Sequence, residues 1–162
     1  MTFHDLYSRY VDDVYRFAHW LSGNPHDAHD ITSETFVRAW TAPNEPRTKT
    51  VKAYLFAIAR NLYRKQWRRE SRLTKLEHSL ADPAKAPDEA ASNRDDFEQL
   101  LAALQLLPEI DRTLLLMRAE DELSYEDIAA ATGISAVAAK VKVFRARTKL
   151  EALLKTQNEA TA

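Results

Sequence analysis

Between Ser124 and Leu150 the sequence reads SYEDIAAATGISAVAAKVKVFRARTKL, and no other stretch limits the possible folds as much. Ser124 and Asp127 have the spacing of a capping box, in which a hydroxyl and a carboxylate take up backbone N–H groups that a helix start leaves unpaired. Ile128, Ala129 and Ala131 follow as small apolar contacts, and Gly133 falls where the chain must turn with a positive φ that a Cβ would penalise. Ser135 is placed to cap a second helix, along which Ala139, Val143, Ala146, Leu150 and Leu153 recur as one apolar seam. Two helices joined by a turn of about three or four residues make a helix-turn-helix candidate. The second helix carries Lys140, Lys142, Arg145, Arg147 and Lys149 and no acidic residue from Ala136 to Lys149. Such a helix suits a major groove lined by phosphates, so DNA binding is expected; the competing reading is a solvated basic helix at the end of an ordinary bundle.

The rest of the composition limits the class. A chain of 162 residues with 45% hydrophobic content can hold one domain or two small ones, and two Gly with six Pro favour long helices. The expected fold is all-α: two small helical domains, residues 1–75 and 94–158, joined by a flexible acidic linker over 76–93. No apolar run is long enough for a bilayer, and MTFHDLYSRY lacks a basic-then-apolar signal pattern, so no membrane insertion and a cytoplasmic location are expected. With no cysteine there is no disulfide framework, thiolate zinc site or thiol switch. His26 and His29 lie beside Asp27 and Asp30 at helical spacing, the one place where a metal is conceivable. No third ligand cluster, phosphate loop or nucleophile motif accompanies them, so neither metal, cofactor nor catalysis is expected.

The net charge of −1 hides segregation: +5 over residues 1–75, −5 over 76–98, −3 over 99–122 and +2 over 123–162. Two basic modules flanking an acidic connector point to polyanion contact at both ends, with the connector repelling that polyanion or shielding the basic surfaces when free.

Along the chain, Thr2 with Asp5 predicts a helix over about 3–22 ending at Gly23, and Asn24 with Pro25 starts a second that ends before Pro43. On that second helix Asp27, Asp30, Glu34 and Arg38 share one stripe, either a solvated face or a docking surface for a basic partner. The segment 41–50 reads as a loop. From Val51 to Arg72, Val51, Tyr54, Leu55, Ile58 and Leu62 form an apolar seam, while Lys52, Phe56, Arg60, Tyr63 and Trp67 lie on another side. Residues 47–75 hold ten basic residues and one acidic one. Cations interleaved with flat rings match single-stranded nucleic acid; the alternative is that Tyr63 and Trp67 complete a core. Ser92 and Asp95 start another helix, Pro108 the next, and TQNEATA reads as a frayed tail.

Taken together, DAHDITSETFVRAW (27–40), YLFAIARNLYRKQWRR (54–69), LPEIDRTLLLMR (107–118) and LSYEDIAAATGIS (123–135) resemble, in that order, the motifs of bacterial sigma factors of the extracytoplasmic-function group. The resemblance implies that Asp27, Asp30, Glu34 and Arg38 meet the β′ clamp helices of core RNA polymerase. It implies that Lys52, Phe56, Arg60, Asn61, Tyr63, Arg64, Trp67 and Arg68 recognise and melt the minus-ten element. It assigns Ser135, Val137, Lys140, Val141, Lys142, Phe144, Arg145 and Lys149 to the minus-thirty-five element, with the second domain on the β flap and an anti-sigma factor as a further partner. A stand-alone helix-turn-helix regulator would use Ser124 to Leu150 alone and leave the N-terminal motifs unexplained. Two departures from the family pattern stand out. Val137, Val141 and Phe144 lie opposite the packing seam where polar residues are usual, open to thymine methyl groups or to another protein. Ser33 stands where glutamine is common.

Overall fold

A computed structural model describes residues 2–42, 50–77, 95–120 and 123–161. Those residues form seven α-helices: α1 Phe3–Ser22, α2 Pro25–Thr41, α3 Val51–Glu77, α4 Asp96–Gln105, α5 Glu109–Arg118, α6 Tyr125–Thr132 and α7 Ala136–Thr161.

Local chemistry sets most of the boundaries. Thr2 and Asp5 exchange two hydrogen bonds of 3.1 Å at the start of α1, and the Thr2 backbone N–H, followed by its hydroxyl, holds the Asp5 carboxyl below its ordinary pKa. Gly23 ends the helix at φ 74°, and Asn24 Oδ1 accepts from the backbone N–H groups of His26 and Asp27 to open α2. Ser124 and Asp127 form the expected capping box on α6, Gly133 turns at φ 81°, and Ser135 Oγ accepts from Ala138 N–H at 3.1 Å to start α7.

Three boundaries differ from the sequence reading. Asp95, whose side chain accepts from Glu98 N–H, caps α4; Ser92 lies outside the described residues. The α3 helix continues through Lys75 to Glu77, so its regular backbone hydrogen bonding carries it past the expected start of the linker, whose residues 78–93 lie outside the described set. The expected frayed tail is helical as far as Thr161, because nothing from Leu150 onward is a helix breaker.

Helices α1 to α3 pack around Val14, Phe17, Leu21, Ala28, Ile31, Phe36, Leu55 and Phe56, and the Phe17 and Phe56 rings stack at 4.4 Å. Around α5 and α7, Leu114, Met117, Ile128, Ala139 and Val143 are buried and continuous with that first core. The two halves therefore close on each other: α1 rests on α4 and α5, while α3 is covered by α5 and α6. Phe97 of α4 sets its ring 4.6 Å from Trp20 of α1. Gly23 sits so close to Gln105 that a Cβ there would meet that side chain at 2.7 Å.

Candidate nucleic-acid interface

Helix α7 presents the surface read from the sequence. Ala139, Val143 and Ala146 are buried, while Ser135, Lys140, Lys142, Arg145 and Lys149 are exposed. Val137 and Phe144 are 75% and 71% exposed, with Val141 between them also exposed. Opposite faces of one helix thus carry the packing seam and an apolar strip bordered by cations. Cations attract any phosphate, whereas the strip offers methyl-sized contacts that can distinguish bases.

The α3 surface differs from the sequence reading in a way that matters for function. Phe56 is fully buried on Phe17, a core side chain with no surface to offer DNA. Lys52, Arg60 and Tyr63 are 7%, 5% and 8% exposed, because the C-terminal half lies over them. Arg60 donates from Nε to Glu109 Oε1 at 2.8 Å and from Nη2 to Oε2 at 3.3 Å, a bidentate pair across the junction. Lys52 Nζ lies 3.1 Å from Glu120 and 3.4 Å from Asp13. Burial disfavours the charge on Lys52, yet the two carboxylates prevail and its pKa rises. The Tyr63 hydroxyl accepts from Arg112 Nη2 at 3.0 Å, and burial pushes its pKa up against the pull of that guanidinium. Asn61, Trp67 and Arg68 remain exposed and Arg64 half-buried, with Trp67 57% exposed. The basic and aromatic side of α3 is thus split between four accessible groups and three held by the other half.

On α2, Asp30, Glu34 and Arg38 are exposed together, as their spacing requires. Arg38 Nε donates to Glu34 at 3.1 Å, and His26 lies 3.6 Å from Asp30. Asp27 is turned inward and accepts from Gln66 Nε2 at 2.9 Å, tying α2 to α3. Between the two helices runs a groove of about 1090 Å³. Its α2 wall carries Asp30 and Glu34, its α3 wall Lys65, Arg68, Arg69 and Arg72, and its floor Ile31 and Leu62. The His29 ring lies 4.7 Å from that of Tyr15, tilted by 42°, and the described residues contain no cluster of three His, Asp or Glu that could hold a metal. No helix among them is long and apolar enough to cross a membrane.

Sequence reasoning missed Glu109, Glu120, Gln105 and Arg112 as members of this surface. Gln105 bridges the halves, donating to Trp20 C=O at 2.9 Å and accepting from Arg112 Nη1 at 3.0 Å. The signal available was the net charge of −3 over 99–122, complementary to the basic 47–75 segment. Glu109 and Glu120 of the C-terminal half cover cations of α3 here, while most of the acidic connector, expected to repel a polyanion or to shield the basic surfaces, lies outside the described residues.

Residues 6–73 match Sigma-70 region 2, and residues 97–150 match Sigma-70, region 4. The chain is 36% identical to the ECF RNA polymerase sigma factor EcfG of Rhodopseudomonas palustris, over 89% of this chain and 80% of that protein. It is 31% identical to the ECF RNA polymerase sigma factor SigE of Mycolicibacterium smegmatis over 98% of its own length, and spans 63% of SigE. Among solved structures, the sigma factor RpoE from Bartonella quintana, crystallised with the anti-sigma factor NepR, superposes with a TM-score of 0.78 at 28% identity. That match covers 94% of this chain and 96% of RpoE. Both family regions, in order on an all-α framework with a capped helix-turn-helix and a basic α3, place the chain among the extracytoplasmic-function sigma factors, which direct promoter-specific transcription by RNA polymerase.

Proposed function

We propose that this sigma factor works in the cytoplasm in two arrangements, and that the closed one described above withholds promoter contacts that the open one makes. In the open form residues 1–75 bind core polymerase and the minus-ten element, and residues 94–158 bind the minus-thirty-five element. The observation that carries this reading is the bidentate Arg60–Glu109 pair together with Lys52–Glu120: carboxylates of the second half occupy cations of the first. Each carboxylate takes the position that a phosphate oxygen would take, so strand binding and closure compete for the same donors.

Separation of the halves releases Arg60 and Tyr63, and parts Lys52 from Glu120 while Asp13 of α1 stays beside it, so that they join Asn61, Arg64, Trp67 and Arg68, whereas Phe56 stays in the core of the first half. Trp67 and Tyr63 then supply rings for unstacked bases, and the arginines follow the phosphates. Asp30, Glu34 and Arg38, on the rim of the α2–α3 groove, form the docking edge for the β′ clamp helices; Asp27 supports that edge through Gln66. The second half seats on the β flap and presents Ser135, Val137, Lys140, Val141, Lys142, Phe144, Arg145 and Lys149 to the upstream element. An anti-sigma partner fits this scheme by prolonging closure, as the RpoE relative is bound by one.

Run-off transcription with purified core polymerase tests the reading. Initiation should depend on this chain, and variants at Arg64, Trp67 and Arg68 should bind core normally but fail to open promoters. Promoter opening that is unchanged in those variants would overturn the assignment of α3.

A further inference from the structure

At the junction of the two halves lies a second pocket, of about 440 Å³, in the size range of small-molecule sites. Its α3 side is Tyr63, Arg64, Trp67 and Arg68; its opposite side is Leu107, Pro108, Glu109 and Arg112, with Gln105 between. Three guanidinium groups surround it. The one carboxylate, Glu109, has both oxygens engaged by Arg60. Arg112 is 6% exposed, and although its terminal nitrogens bond to Tyr63 and Gln105, its buried Nε has no hydrogen-bond partner among the described residues. The α5 helix begins at this pocket, and its N-cap, Pro108, supplies no side-chain hydrogen bond to the first-turn N–H groups. The first turn of α5 carries Glu109 and Asp111, which offset the field of that helix start, so it is the three guanidinium groups that favour an anion here. The Trp67 ring, more than half exposed at the edge of these cations, offers a flat face for a planar heterocycle.

We propose that this pocket binds a free mononucleotide, with its base on Trp67 and its phosphates against Arg64 and Arg68 of α3 and Arg112 of α5, and that the ligand bridges α3 to α5 and thereby holds the closed form. The chemistry selects this class: an inorganic anion leaves the ring unused, and a neutral aromatic leaves the arginines unused. A single strand of DNA offers the same chemistry but demands the opposite geometry, since it needs Arg60 and Lys52 released. The inference therefore goes beyond the promoter reading, and it rests on the closed and open arrangements proposed above.

Isothermal titration of the full chain with ADP and GDP, inorganic pyrophosphate, and adenosine supplies the first test. Either diphosphate should bind at least about tenfold more tightly than pyrophosphate or the nucleoside, the scale of one stacked base. Trp67→Ala should lower diphosphate affinity to the pyrophosphate level, and Arg64→Gln should weaken both phosphate ligands. The second test uses energy transfer between labels at Ser8→Cys and Thr148→Cys, the chain having no cysteine of its own. A single-stranded minus-ten oligonucleotide should lower transfer, and ADP or GDP added to that mixture should restore it. Equal binding of pyrophosphate and diphosphates, an unaffected Trp67→Ala variant, or no heat at millimolar nucleotide overturns the proposal. A nucleotide that fails to restore the transfer lost to the oligonucleotide, or that lowers transfer by itself, overturns it as well. Failure of the oligonucleotide arm alone counts against the promoter role of α3 and leaves the pocket standing.

Discussion

Replacing Glu109 by Gln removes half of the best-formed contact between the two halves while keeping the side chain's shape. Arg60 donates two hydrogen bonds to this carboxylate, at 2.8 and 3.3 Å, and is itself 5% exposed. Hydrogen bonds to charged groups contribute about 1.5–3 kcal/mol, and a buried guanidinium left with a neutral partner loses most of that. The Glu109 side chain is 24% exposed, so water recovers part of the loss, and about 2 kcal/mol is the expected cost to closure. Thr113 Oγ1 lies 3.0 Å from Glu109 Oε1, a contact that the Gln carbonyl can preserve. A change of about 2 kcal/mol shifts the closed-to-open ratio roughly thirtyfold. Because apparent affinity scales with the fraction of competent molecules, Glu109→Gln should bind a single-stranded minus-ten oligonucleotide up to about thirtyfold more tightly. Fluorescence anisotropy at one fixed salt concentration reads this directly, with far-ultraviolet circular dichroism to show that the helices persist. A folded variant whose strand affinity is unchanged or weaker would falsify the competition between Glu109 and phosphate.

Other perturbations separate the remaining parts of the account. Reversing the charge of exposed Asp30 and Glu34 should weaken co-purification with core polymerase while changing stability by no more than about 0.5 kcal/mol, and unchanged association would remove α2 from the docking edge. Neutralising Lys140 or Arg145 should reduce the salt slope of promoter binding by about 0.9 per lost contact for every promoter alike. Val141→Ser should instead change which upstream element is preferred; retention of preference with loss of a protein partner would make the strip an interface. Gly23→Ala should destabilise the chain by at least about 1–2 kcal/mol for the left-handed backbone, because the new Cβ must also displace Gln105; a thermal midpoint equal to wild type would contradict that contact. Lys52 has a raised pKa when folded, so its contribution is complete below its ordinary value of 10.5 and is lost as pH rises through the folded value. Tyr63 is raised too, which lets the open or unfolded chain ionise first above pH 10.0. Closure should therefore weaken above about pH 10, and energy transfer that holds constant through that range would exclude these groups from it.

The helix starts at Thr2, Asn24 and Ser124 and the turns at Gly23 and Gly133 were legible because their causes lie within four residues of chain. The exposed strip on α7 was legible for a related reason: that helix buries one face, and projection then fixes the other. On α3 the same method did not show that a second face is buried in this arrangement. It has partners on two sides, α1 and α2 on one and α5 and α6 on the other, so two stripes are buried and only one reads as apolar. Lys52 and Arg60 can lie under the second stripe because their aliphatic stems pack while their charged ends reach carboxylates. Those carboxylates are distant in sequence, 68 residues for Lys52–Glu120 and 49 for Arg60–Glu109, beyond what any local periodicity records. The Tyr63–Arg112 bond spans 49 residues as well, and nothing around Arg112 marks it as buried. Charge complementarity between the basic 47–75 segment and the acidic 99–122 segment was visible in the sequence, but not which residues it would pair.

The most direct test is the distance between the halves while the protein works. Spin labels at Ser8→Cys on α1 and Thr148→Cys on α7 report it by double electron–electron resonance, in the free chain and in the complex with core polymerase and promoter. One short distance in the free chain, replaced by a longer one in the promoter complex, is the predicted result. The same short distance in a complex that initiates transcription would contradict the account, because Arg60 and Lys52 would then still be held by Glu109 and Glu120 while the promoter is open.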